Sequence, residues 1–179
     1  MKGPPAEIGI PFMTDLVLSI ERDEKTVTRR TSSRWARVPP GTVLWVRETW
    51  RTHERPEDGL DGIEFRAGGV FVPIANTPEA ADRWGEAHKN GKHGTRWRPP
   101  MFMSRWMARH LLRVVSVTVE PGIEIGPFKV VNPVPRVTDA EARLEGLRDR
   151  TDFVAVWRRL HPDHGGPVYR IEFERMGGA

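Results

Sequence analysis

At 179 residues the chain suffices for one ordinary domain with a real core and is short for two. A hydrophobic content of 38% and a mean hydropathy of -0.51 fit a globular chain with a polar surface, and no apolar run reaches membrane-spanning length. Cysteine is absent, which excludes disulfides, thiolate zinc sites and cysteine nucleophiles; the net charge of +4 gathers in two acid-free basic stretches, 25–47 and 89–113.

Those stretches suit an anionic partner such as phosphate, unless acidic residues from elsewhere fold over and neutralise them. The first residues, Met1 to Pro5, run into Glu7 and Asp15 before any long apolar stretch, unlike a secretory signal. A cytoplasmic protein with no membrane partner is the expectation.

Ile8 to Phe12 reads as a short strand, followed by Thr14 as a helix N-cap with Leu16, Val17 and Ile20 on one face. The helix is expected to end near Asp23, so the cluster Lys25-Thr26-Val27-Thr28-Arg29-Arg30 emerges where the helix dipole favours cations. Thr42 to Glu48 follows Pro39-Pro40-Gly41 and reads as a buried strand. Residues 51–98 read as loop-rich. Within them Ile63 to Phe65 and Val70 to Ile74 form a hairpin around Gly68-Gly69, Pro78 to His88 is a short helix, and His88 to Gly94 a mobile loop.

Leu111 to Val119 alternates valines with Arg113, Ser116 and Thr118 in the manner of a strand, and 121–135 is a Pro/Gly-rich excursion. Thr138-Asp139-Ala140-Glu141 is a capping-box pattern opening a helix that reaches Glu145 and stops at Gly146. Asp152 to Leu160 carries Phe153, Val156, Trp157 and Leu160 on one face, and Val168 to Phe173 closes the chain as a strand. Strands separated by single short helices predict an α+β fold, a small mixed β-barrel flanked by helices in one domain.

The ordered set Lys25 to Arg30, Gly41 to Trp50, Trp97-Arg98-Pro99-Pro100 with Met103 to Trp106, Thr138 to Gly146 and Ile171-Glu172-Phe173 resembles the ASCH domain of the PUA-like superfamily. It is similar above all to the longer ASCH proteins of phage and prophage genomes. The resemblance implies one ASCH domain over 1–179, with insertions at about 51–96 and 121–135, and a cleft for RNA or nucleosides. A small bacterial branch of that superfamily removes the acetyl group from N4-acetylcytidine with a lysine, a threonine and a glutamate. Carried over on motif spacing, those roles fall on Lys25, Thr28 and Glu145, with Arg30 on an arginine of the same motif. Where the family usually has glycine before the lysine, this chain has Asp23 and Glu24.

For such chemistry Thr28 is a nucleophile or a positioner of water, and Lys25 a base if neutral or an oxyanion donor if charged, Glu145 then being the base. The alternative reading of the three is a surface ion pair and a turn residue. Arg30, Arg47 and Glu48 are candidates for holding substrate, Arg47 and Glu48 being alternatively a structural pair. Trp84 and Trp97, in polar surroundings, are the better base-stacking candidates, while Trp45, Trp50, Trp106 and Trp157 read as core. His161-Pro162-Asp163-His164 reads as a turn and His88 and His93 as solvated loop residues, so no metal or other cofactor is expected. The expected partner is an N4-acylated cytidine or related nucleoside. A module binding single-stranded RNA, or a nuclease acting on it, is the alternative.

Overall fold

The computed structural model describes residues 6–120, 137–162 and 164–177. In chain order its elements are β1 (Glu7–Pro11), α1 (Thr14–Glu21), β2 (Val27–Arg30), β3 (Val43–Arg47), β4 (Trp50–Arg55), β5 (Leu60–Phe65), β6 (Val70–Pro73) and α2 (Pro78–Asn90), then β7 (Leu111–Glu120), α3 (Asp139–Leu144), α4 (Arg150–Leu160) and β8 (Val168–Arg175). The mixed α+β class is what the sequence predicts. The excursion expected at 121–135 lies outside the described residues.

Two compact units form: Met1–Ile8, Ser19–Leu44 and His110–Ala179 make the first, Gly9–Leu18 and Trp45–Arg109 the second. The larger sheet has the order β1-β3-β7-β8-β2. Among the described residues no closed barrel is found.

In the first unit β8 lies antiparallel between β7 and β2, with Thr28 opposite Ile171 and Arg29 opposite Arg170. Directly opposed residues share a face and neighbours along a strand alternate. Thr28 and Ile171 therefore lie on one face, Arg29 and Arg170 on the other. α4 starts where the Asp149 carboxylate accepts the Asp152 N–H at 2.9 Å, satisfying a helix-end donor. Its Phe153 and Trp157, one turn apart, stack with ring centroids 5.8 Å apart and bury with Val137, Ala142 and Val168. Burying each large apolar side chain stabilises by about 2 kcal/mol.

The second unit is built on the antiparallel meander β4-β5-β6. Arg51 to Arg98 is thus more ordered than a loop-rich reading allows: β4 pairs along its whole length with β5, and α2 runs on to Asn90. Trp50, Ile63, Phe65, Trp84, Met103 and Met107 form the core. Trp84 corrects the sequence reading. Its indole donates to the Gly62 carbonyl at 2.8 Å and its face stacks on His88, so it is core rather than a platform for bases, and His88 is a packed helix residue. No helix among the described residues is long and apolar enough to cross a membrane.

Candidate active site

The strongest cluster of polar groups in the first unit begins where α1 ends. Asp23 adopts φ +57°, a left-handed conformation that glycine takes cheaply and Asp tolerates better than most residues. Arg175 holds its carboxylate with two bonds, at 2.7 and 2.9 Å, and draws its pKa down. The Glu24 and Lys25 N–H groups then both donate to the Ser19 carbonyl. This turn delivers Lys25 into the interior.

α3 arrives on the other side of Lys25. Thr138 caps it, accepting the Glu141 N–H at 3.2 Å, and Glu145 closes it. Gly146, at φ +77°, turns the chain away. A side chain there would stand 2.8 Å from the Ser19 Cβ and 3.1 Å from the Lys25 Cβ. Glycine thus serves two ends, the left-handed turn and the close approach, and the Thr26 N–H bonds the Leu144 carbonyl at 2.9 Å across the gap.

The Lys25 ammonium is buried there with three acceptors: the Val27 carbonyl at 2.7 Å, the Glu145 carbonyl at 2.6 Å and Glu145 Oε2 at 3.1 Å. Three acceptors match the three N–H groups of a protonated amine. Burial nevertheless pushes its pKa from 10.5 down to about 8, Glu145 pulling it back up while Arg30 and Arg29 push it further down. Glu145 Oε1 accepts from Arg29 at 3.0 Å. Arg29 also binds both oxygens of Glu120 at 2.8 Å and Glu141 Oε2 at 2.8 Å. Burial acts to lower the Arg29 pKa, and its carboxylates outweigh this and raise it. Arg170 joins through Glu141 at 3.2 Å; burial acts to raise the Glu141 pKa, and the bonds from Arg29 and Arg170 together outweigh it and carry it below the usual carboxylate range.

The structure therefore brings Lys25 and Glu145 into direct contact, buried instead of on the surface. Thr28 is buried on β2, but its hydroxyl forms no hydrogen bond to either of them, and strand alternation turns it to the face opposite Arg29. Arg30 shares the Thr28 face, with a pKa lowered to about 10 by burial, an effect that Glu145 opposes and Arg34 reinforces. The Lys25–Glu145 pair thus stands within electrostatic range of an arginine on each face of the strand. Glu120, Glu141 and Arg170 escaped the sequence reading; Glu141 looked like the return arm of a capping box, and its side chain instead reaches Arg29.

Arg47 and Glu48 belong to the second unit. Arg47 donates to the Met101 carbonyl and lies over the Trp45 ring. Glu48 is 1% exposed and taken up by Arg109, which grips both its oxygens at 2.9 and 2.8 Å and also reaches the Ala67 carbonyl. The structural partner of Glu48 is therefore Arg109, not its neighbour Arg47. Trp97 carries the Arg51 guanidinium over its ring at 4.7 Å.

His161 stacks at a tilt on Trp157, and His164 bonds the Pro167 carbonyl; Asp163 lies outside the described residues. No group of three or more His, Cys, Asp or Glu stands where it could hold a metal among the described residues. Set against known protein families, curated proteins and solved structures, the chain matches no family model, no curated protein and no solved structure.

Proposed function

We propose that the protein is an ASCH-type amidohydrolase of PUA-like fold that removes the acyl group from N4-acylated cytosine nucleosides, using Lys25, Thr28 and Glu145. The observation that carries this reading is the buried Lys25–Glu145 pair, with an amine pKa of about 8. A lysine placed only for charge would sit in water near its ordinary value. Lowering it by burial is how an amine becomes usable as a base near neutral pH.

The reaction breaks the amide C–N bond. Water supplies hydroxyl to the acyl carbon and a proton to N4, giving a carboxylic acid and cytidine. In the resting state Lys25 donates to all three acceptors, and the longest bond, to Glu145 Oε2, is the one exchanged when the amine loses its proton. The neutral amine then takes a proton from a water that Thr28 orients, since the Thr28 hydroxyl itself makes no hydrogen bond to the amine. Glu145 holds the lysine in place and accepts from it when it is recharged. Arg29 fixes Glu145 through its other oxygen.

Neutralisation of Arg29 by three carboxylates weighs against the binding-module and nuclease alternatives, because it leaves that arginine no open edge for phosphate. The test is to incubate the protein with N4-acetylcytidine, its deoxy form and a bulkier acyl analogue, and to follow cytidine by chromatography. Release of cytidine that vanishes in Lys25→Ala and Thr28→Ala and falls by about 100-fold or more in Glu145→Gln supports the reading. Near-native turnover in any of the three variants removes that residue from the chemistry, and RNA binding with no conversion favours the module.

A further inference from the structure

The second unit has a cavity of about 260 Å³ that none of the proposed catalytic residues lines. One wall is a face of α2, where Arg83, Glu86 and Asn90 recur at spacings of three and four and so point the same way. The opposite wall is aromatic, with Trp50, Phe102 and Trp106. Arg98 joins the two. Its backbone N–H and carbonyl pair with those of Trp50 at 2.7 and 3.1 Å, and its guanidinium lies 5.3 Å from the Trp50 ring and 5.1 Å from that of Phe102.

Two features of this cavity are unexplained by folding. Neither Arg83 nor Arg98 forms an ion pair or a side-chain hydrogen bond among the described residues, although Arg29 and Arg109 are each met by carboxylates. Phe102 is 53% exposed beside them, where an aromatic ring gains nothing from water.

We propose that this cavity binds one nucleotide whose base carries an exocyclic amino group, CMP being the probe that tests it. The phosphate accepts from Arg83 and Arg98, whose guanidiniums suit it in charge and shape. The base stacks on Phe102 and Trp106. Glu86 would repel phosphate and so lies at the base end, where its carboxylate accepts from the amino group and Asn90 completes the edge. The inference stands on the second unit alone and does not rest on the amidohydrolase reading.

The experiment is calorimetric titration of the full chain with CMP, UMP, cytidine and inorganic phosphate, repeated on Arg98→Ala, Glu86→Ala and Lys25→Ala. The Arg98 and Glu86 side chains make no hydrogen bond among the described residues, so both variants are expected to fold, and a melting curve confirms it. Support is one CMP site retained in Lys25→Ala, weakened roughly tenfold or more in Arg98→Ala, and preferring CMP over UMP by a factor that Glu86→Ala abolishes. No CMP binding overturns it. So does CMP binding kept in Arg98→Ala and lost in Lys25→Ala, or phosphate or cytidine binding as tightly as CMP. Because the readout is binding, its failure leaves the turnover test untouched.

Discussion

Arginines of the two units meet opposite fates. In the first, Arg29 is buried and bound by Glu120, Glu141 and Glu145, and Lys25 shares the last of these. In the second, Arg98 and Arg83 face a cavity with aromatic rings for company. Arg29 and Arg98 both come from basic, acid-free stretches, and charge counting along the chain treats them alike. Folding separates them, by supplying carboxylates from α3 and β7 to Arg29 while Arg98 forms no ion pair among the described residues. A compensated cation positions and tunes its neighbours, whereas an uncompensated one is available to an anion from outside.

The sharpest way to break the first half of that comparison is Glu145→Ala. It leaves the Lys25 amine and one Arg29 nitrogen without their carboxylate in a buried place, for a loss of about 3–5 kcal/mol in chemical denaturation. Glu145→Gln keeps the shape and is expected to fold with turnover down by a factor of about 100 or more. If Glu145→Ala unfolds no more easily than wild type, the cluster contributes nothing to the fold.

Gly146→Ala comes next. The added methyl meets Ser19 and Lys25 and strains a left-handed turn, so a loss of about 1–3 kcal/mol and a fall in turnover should appear together. Equal melting temperatures and rates would show that the approach of α3 to Lys25 is relaxed.

A subtler test uses pH. Lys25 has a folded pKa of about 8 against 10.5 unfolded, so the unfolded chain holds more protons between these values and stability rises with pH across that window. Below about pH 8 the full cost of burying the ammonium, about 3 kcal/mol, is present. Lys25→Met should abolish this rise, measured by denaturant titration at several pH values. The smallest effect is expected for Asp23→Gly, which relieves a left-handed residue but loses the Arg175 pair; a change within about 1 kcal/mol and unaltered turnover are expected.

Elements with strong local signals were legible in the sequence. Thr138 and Gly146 bracket α3 by capping chemistry alone, and β7 forms as a strand, although a register shift between Val114 and Ser116 breaks its alternation. β2 was not legible, because Thr28, Arg29 and Arg30 look like surface residues until β8 and the carboxylates of the first unit cover them. β4 hid for a related reason: only Trp50 and Thr52 of its inward face are buried, and a buried threonine does not register as apolar. The pairing of Lys25 with Glu145 spans 120 residues, which no periodicity reports; motif spacing within a resemblance supplied it. The acidic partners of Arg29 come from two further elements, each with its own local explanation, and so passed unnoticed.

The central claim is that the buried Lys25 amine does the chemistry, and the pH dependence of kcat/KM for N4-acetylcytidine tests it most directly. The account predicts a rate that rises with pH and levels off above a midpoint near 8, with that limb moving to lower pH in Glu145→Gln because the carboxylate no longer raises the amine's pKa. A rate that falls through the same midpoint, or one flat across it, would contradict a neutral lysine acting as base.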